Sequence, residues 1–311
     1  MSKKSHKGSL FYQLSNAKGL NINANREGGI ANSFKTQQNY RKSLHYASDY
    51  FKSVGIRNLE QIDTVAIQQY ADDLTEKGYA ASTVHTYLAP ICKACGISME
   101  KIAKPIRYVA DFKKCRTAAQ DATETDNKTI QLNQYLGLRR NELTRLRGND
   151  LRQDRLGNWY VHLDRGKGGK EQHQYILPSD LEKVRPYFDG SDALLFHKAD
   201  MDSKYSYHSQ RHALAKRCYD YYLQRLQENP GYLKQLYKSI AESWHRLNKR
   251  DRDELEPFSF FDREYKLRGK NRALAQEKGK PVEYDRLALR AVSVLHLSHW
   301  RDNITIDYLL S

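Results

Sequence analysis

At 311 residues the chain is long for one domain and comfortable for two. Lys and Arg outnumber Asp and Glu by 52 to 37, a net charge of +15, which points to a polyanionic partner because each Lys or Arg contact to a phosphate releases condensed counterions. No run of about 18 apolar residues is present to span a bilayer, no apolar stretch follows Met1-Ser2-Lys3-Lys4 as in a secretory signal, and four cysteines are too few for a disulfide scaffold. The expected setting is a reducing cytoplasm, with no membrane partner.

Residues 1–29 are polar, with Asn21, Asn23, Asn25, Gly28 and Gly29 close together. That composition buries little apolar area and predicts a flexible basic arm. From Ser33 the pattern turns helical. Tyr40, Leu44, Ala47, Phe51 and Val54 recur at helical spacing until Gly55. Asp63 is placed to cap a second helix that ends at Gly78, and Ser82 or Thr83 opens a third, expected to break near Pro90. Residues 30–104 therefore predict a small helical domain. Cys92-Lys93-Ala94-Cys95 reads as two ordinary helical cysteines, since no second Cys or His pair stands at zinc-site distance.

Residues 126–150 predict two helices, the second starting near Arg140. Residues 158–163 predict a strand and 174–178 its return, so that the turn Gly166-Lys167-Gly168-Gly169-Lys170 forms the tip of a hairpin. From 181 onward the pattern is again mostly helical. Three boxes then stand out by their order: Gly137-Leu138-Arg139-Arg140-Asn141-Glu142, His208-Ser209-Gln210-Arg211-His212, and Leu297-Ser298-His299 with Tyr308 nine positions further on. Singly, Arg139 beside Arg140 reads as a solvated helix face, and Tyr308 is one of 22 tyrosines. Together, two separated arginines, a lysine on a glycine-rich turn, histidines and a tyrosine suit metal-free phosphoryl transfer.

This ordered set resembles the tyrosine recombinase (phage integrase) family over roughly residues 126–212 and 286–311, with 30–104 similar in pattern to the family's core-binding domain. The resemblance implies a mainly α fold with a small antiparallel β-hairpin or sheet. It also implies a DNA-binding helical domain followed by a mixed α/β catalytic domain from 105 to 311. The implied site is Tyr308 as nucleophile, with Arg139 and Arg211 gripping the phosphate through forked, permanently charged donors. Lys167 is the implied general acid, with Lys170 its rival. His208 helps to deprotonate or position the tyrosine, His299 donates to the phosphate, and Glu142 and His212 support the others. Lys170, Arg140 and Arg301 are candidate DNA contacts.

The implied activity is cutting and rejoining of duplex DNA through a 3′-phosphotyrosine, serving integration or excision of a mobile element on nucleoid DNA. It conserves bond energy, so it needs no ATP, cofactor or metal and is expected to survive EDTA. A homotetramer on paired sites and DNA-bending accessory proteins are the implied partners.

The sequence departs from the family pattern in four places. Ser298 stands where glycine is usual, and Gln210 where leucine is common. An unusually long segment, about 214–285, separates the last two boxes, and little chain follows Tyr308. That segment is expected to be a subunit contact, a DNA contact or a tolerated surface insertion. Two other functions share these features: a catalytically inactive DNA-binding relative acting as regulator or accessory factor, and a nicking-closing enzyme of the type IB topoisomerase kind.

Overall fold

A computed structural model describes residues 8–17, 20, 34–108, 127–166, 171–201, 205–246 and 264–310. Lys167, Lys170 and the 111–116 exit from the helical region lie outside these residues, as do most of the polar arm and of the 250s. The chain divides into two compact units, Met1–Asp111 and Phe112–Ser311. It is mainly helical, with two small antiparallel sheets.

The first unit contains α1 (Leu10–Ser15), α2 (Phe34–Ser53), α3 (Thr64–Glu76) and α4 (Ala81–Cys95). The anticipated cap is present: an Asp63 side-chain oxygen accepts from the Ala66 N–H at 2.8 Å, satisfying one orphan donor of the first turn. Two expectations need correction. Part of the predicted arm is helical, because Leu10, Leu14 and Leu20 are buried in the core formed with Leu44, Phe51 and Ile67. Leu10 and Leu14 lie one turn apart on one face, a local pattern that the averaged polarity of 1–29 conceals. Helix α4 also runs through Pro90 without breaking. Proline removes the donor to the carbonyl four residues back, and the buried Ser43 hydroxyl on α2 donates to that Thr86 carbonyl instead, at 3.5 Å. Cys92 and Cys95 are free thiols on α4, raised by burial to about 11 and about 12, which makes them inert apolar fillers.

The second unit opens with α5 (Lys128–Leu136) and the single turn α6 (Arg140–Leu143). Strands β1 (Leu151–Gln153), β2 (Trp159–Leu163) and β3 (Gln172–Tyr175) form one sheet in that order. Leu151 pairs with Val161, and His162 with His173. The return strand lies about two residues before the expected 174–178, because Pro178, lacking an N–H, opens a 3₁₀ turn instead. Short α7 (Leu181–Val184) leads to α8 (Tyr207–Glu228) and α9 (Tyr232–His245). Beyond them lie β4 (Glu264–Lys266), α10 (Gly269–Glu277), β5 (Glu283–Asp285), α11 (Arg286–Ala291), a π turn at Val292–His296 and α12 (Asp302–Leu310).

Strand β4 pairs antiparallel with β5 across the intervening α10, a pairing that periodicity did not suggest because each strand has only three residues. The boundary expected at 214 falls inside α8, whose Leu214, Ala215, Cys218 and Tyr222 are all buried. That helix is core, so any added segment begins after Glu228. Among the described residues no helix is long and apolar enough to cross a membrane.

Candidate active site

The site is built where α5 stops and α8 begins. Gly137 ends α5 in the left-handed region (φ +59°), and a Cβ there would lie 2.7 Å from the Leu214 side chain. Only glycine gives both the turn and this close approach to α8. Leu138 is held by the buried Asn133, whose side-chain oxygen accepts the Leu138 N–H at 2.7 Å. Arg139 then forms the N-cap of α6, and the buried Glu142 carboxylate takes its backbone N–H and its guanidinium, each at 2.8 Å. Glu142 therefore orients Arg139.

On α8, His208, Arg211 and His212 fall at i, i+3 and i+4, on one face. Arg211 is only 1% exposed. Its Nη1 donates to the Gly137 carbonyl at 2.8 Å, its Nη2 to the Leu297 carbonyl, and its Nε to the Tyr308 hydroxyl at 3.3 Å. One side chain thus ties together the ends of α5, the π turn and α12.

Three imidazoles surround the Tyr308 ring. His212 lies 4.5 Å away, His208 5.4 Å and His299 6.1 Å between centroids, the last nearly parallel. Loss of hydration and the charges of Arg211 and Arg139 hold His208 below the ordinary imidazole value, so it is neutral at neutral pH. The Nδ1 of His299 accepts the Arg301 N–H at 3.3 Å. A neutral His299 ring consequently carries its proton on Nε2, ready to donate.

Burial, and next the neighbouring charge of Arg139, lower the Arg211 pKa, while Tyr308 and Glu142 oppose that shift. Guanidinium does not lose its proton in proteins. The shift therefore registers electrostatic cost, that of two guanidiniums balanced by one carboxylate, which an anion entering the site would relieve. Arg139, Glu142, His208, Arg211, His212 and His299 thus gather about Tyr308, whereas Arg140 and Arg301 do not and the two lysines lie outside the described residues. Arg140 donates to the Met201 carbonyl at 3.3 Å, and the Arg301 side chain is exposed.

Comparison with known proteins gives one family match. Residues 30–93 fit the phage integrase N-terminal SAM-like domain. This match supports the tyrosine recombinase family. Two solved structures overlap more loosely. The XerH site-specific recombinase, bound to palindromic difH substrate in a post-cleavage complex, shares 14% identity over 58% of this chain and 67% of its own, with a TM-score of 0.35. The XerA recombinase shares 15% over 66% and 82%, with a TM-score of 0.22. No curated protein sequence matches the chain.

The departures at positions 210 and 298 have local explanations. Gln210 is buried and accepts from the Asn133 amide at 2.9 Å while donating to the Ile130 carbonyl at 2.7 Å. A hydrogen-bonded pair here does what an apolar contact would otherwise do, locking α8 to α5. Ser298 has φ +49° and Trp300 φ +56°, a region that favours glycine. The His299 turn is thus bent at both flanks, and the Ser298 position explains why glycine would be usual there.

Sequence reading missed three supports of α12, the helix that carries Tyr308. Arg290 grips Asp302, in the first turn of α12, through bonds of 2.7 and 2.9 Å. Lys278 and Lys280, just beyond α10, donate to the Leu310 and Leu309 carbonyls at 2.8 and 2.6 Å. The only sequence signal was Lys278-Gly279-Lys280 itself, which in so polar a stretch looks like any solvated charge.

Proposed function

We propose that the chain is a site-specific DNA recombinase or integrase of a mobile element, joining itself to DNA through a 3′-phosphotyrosine at Tyr308. The observation that carries this reading is the donation from Arg211 Nε to the Tyr308 hydroxyl at 3.3 Å within the imidazole ring set. Neutral His208 is a suitable acceptor for the phenol proton. The Tyr308 oxygen attacks phosphorus, the P–O5′ bond breaks, and the 5′-oxygen leaves with a proton supplied by Lys167. Strand rejoining reverses these steps.

Arg139 and the uncommitted N–H groups of Arg211 stabilise the extra negative charge on the non-bridging oxygens, and His299 donates to one of them. His212 packs on the tyrosine ring, and Glu142 holds Arg139. Lys170, Arg140 and Arg301 serve as backbone contacts. The 30–104 region is the DNA-binding domain and 105–311 the catalytic one. Duplex DNA in the cytoplasmic nucleoid is the substrate, handled by a tetramer on paired sites with the aid of DNA-bending proteins.

A regulator that kept the fold without activity would have no need of this arrangement, so the inactive reading is disfavoured. The decisive test is covalent trapping. Nicked duplexes from the DNA flanking the gene are incubated with protein in EDTA and run on a denaturing gel beside Tyr308→Phe. An adduct lost only in the variant is expected. Adducts in both proteins would mean a different nucleophile, and tight binding without any adduct would favour the regulator.

A further inference from the structure

Outside the active site, one group of metal-ligating side chains converges among the described residues. His162 on β2 and His173 on β3 are direct cross-strand partners. Glu171, two positions before His173, projects from the same face of the sheet. A single Glu171 oxygen, Oε1, lies 3.0 Å from His162 Nε2 and 3.3 Å from His173 Nε2. The three ligand atoms all fall within 4.8 Å of one another. Tetrahedral zinc, with bonds of about 2.0–2.2 Å, places its ligand atoms ~3.3 Å apart, the spacing that Glu171 already keeps from each histidine.

We propose that His162, Glu171 and His173 form a binding site for a zinc-like divalent cation, three protein ligands with a fourth position left to water.

The hydrogen-bonding inventory favours a cation over a simple carboxylate bridge. If both Nε2 atoms carry protons to share Oε1, both Nδ1 atoms become bare acceptors. Each of those Nδ1 atoms is buried and has no hydrogen-bond partner. A cation on Nε2 moves the proton of His162 to Nδ1, which lies 3.5 Å from the Asp164 carboxylate, an outer carboxylate of the kind that orients metal-bound histidines. Glu171 is well exposed, its side chain at 62%, which leaves the fourth position open to solvent. The charge of Arg246, tied to the hydroxyls of Tyr175 at 3.3 Å and Ser243 at 2.8 Å, opposes a cation, so moderate rather than permanent occupancy is expected. The bound ion would clamp β2 to β3 where their pairing ends at Leu163 and Gln172.

The test uses untagged full-length protein, stripped with chelator and titrated with Co²⁺ and then Zn²⁺. Transesterification needs no metal, so binding is the readout. One Co²⁺ per chain is expected, with the intense visible absorption of four-coordinate cobalt, bleached by Zn²⁺. Glu171→Gln, at an exposed position, should weaken binding at least tenfold, and adding His173→Gln should abolish it. Cys92→Ser with Cys95→Ser should leave it unchanged. Absence of binding, binding that survives the Glu171→Gln/His173→Gln pair, or binding lost with the cysteines would overturn the site.

Discussion

Arg211 commits three of its five N–H groups to protein oxygens, leaving one on each terminal nitrogen for a substrate. Its replacement would therefore damage architecture and chemistry together, whereas Arg139, held only through Glu142 and part exposed, reports on chemistry more cleanly. Ser298 provides a sharper residue-scale test. Its φ of +49° costs an L-residue about 1–2 kcal/mol, and its hydroxyl is buried without a hydrogen bond. Glycine loses roughly 0.5–1 kcal/mol of chain entropy on ordering. Ser298→Gly should therefore leave the melting temperature unchanged or higher, and a clear fall on calorimetry would contradict the strain argument. The side chains gathered about Tyr308 stood out in the sequence through the order and spacing of their boxes. The buried Gln210–Asn133 pair could not, since its two members are 77 residues apart in sequence and either alone looks like a surface polar residue.

At the scale of elements, α12, which carries Tyr308, is fixed at both ends, by Arg290 on Asp302 and by Lys278 and Lys280 on its last carbonyls. Cations at a helix C-terminus meet both its dipole and its orphan acceptors. The segment between the last two sequence boxes thus acts within the same chain as a brace on Tyr308. Lys278→Met combined with Lys280→Met should slow adduct formation ~tenfold, equivalent to about 1.4 kcal/mol of lost positioning, while duplex affinity stays within a factor of about two. An unchanged rate would remove the brace from the mechanism. Periodicity located α2 to α5 and β2 well, because each offers several turns or strand residues of one pattern. It failed where the deciding contact is distant in sequence: Ser43 rescuing the Thr86 carbonyl under Pro90, or Lys266 pairing with Glu283 in a three-residue strand.

For the whole molecule, pH enters through buried histidine. His296 is 1% exposed, hydrogen-bonded to Tyr222 at 2.8 Å, and pushed down to about 3, chiefly by burial. Its folded value lies below its unfolded one, so the stability it contributes is complete above about 6.5 and is lost as pH falls toward 3. The slope in that window reaches about 1.4 kcal/mol per pH unit for one such group. Melting temperature should accordingly fall steeply below pH 6.5, and less steeply in His296→Gln; equal slopes would assign the acid sensitivity elsewhere. His208, also depressed, adds to the same trend and should make cleavage fail on the acid side before folding does. The integration of Leu10 and Leu14 into the first core was not readable from sequence, because composition averages out two well-placed leucines.

The π turn at Val292–His296 gives the molecule a sense of phase. It holds one residue more than an α-helical turn would, and each residue advances a helix by about 100°. Everything downstream, from the Leu297 carbonyl on Arg211 to His299 and Tyr308, takes its compass bearing from that surplus residue. The loss or gain of a single residue here would swing the face that carries His299 and Tyr308 away from its partners.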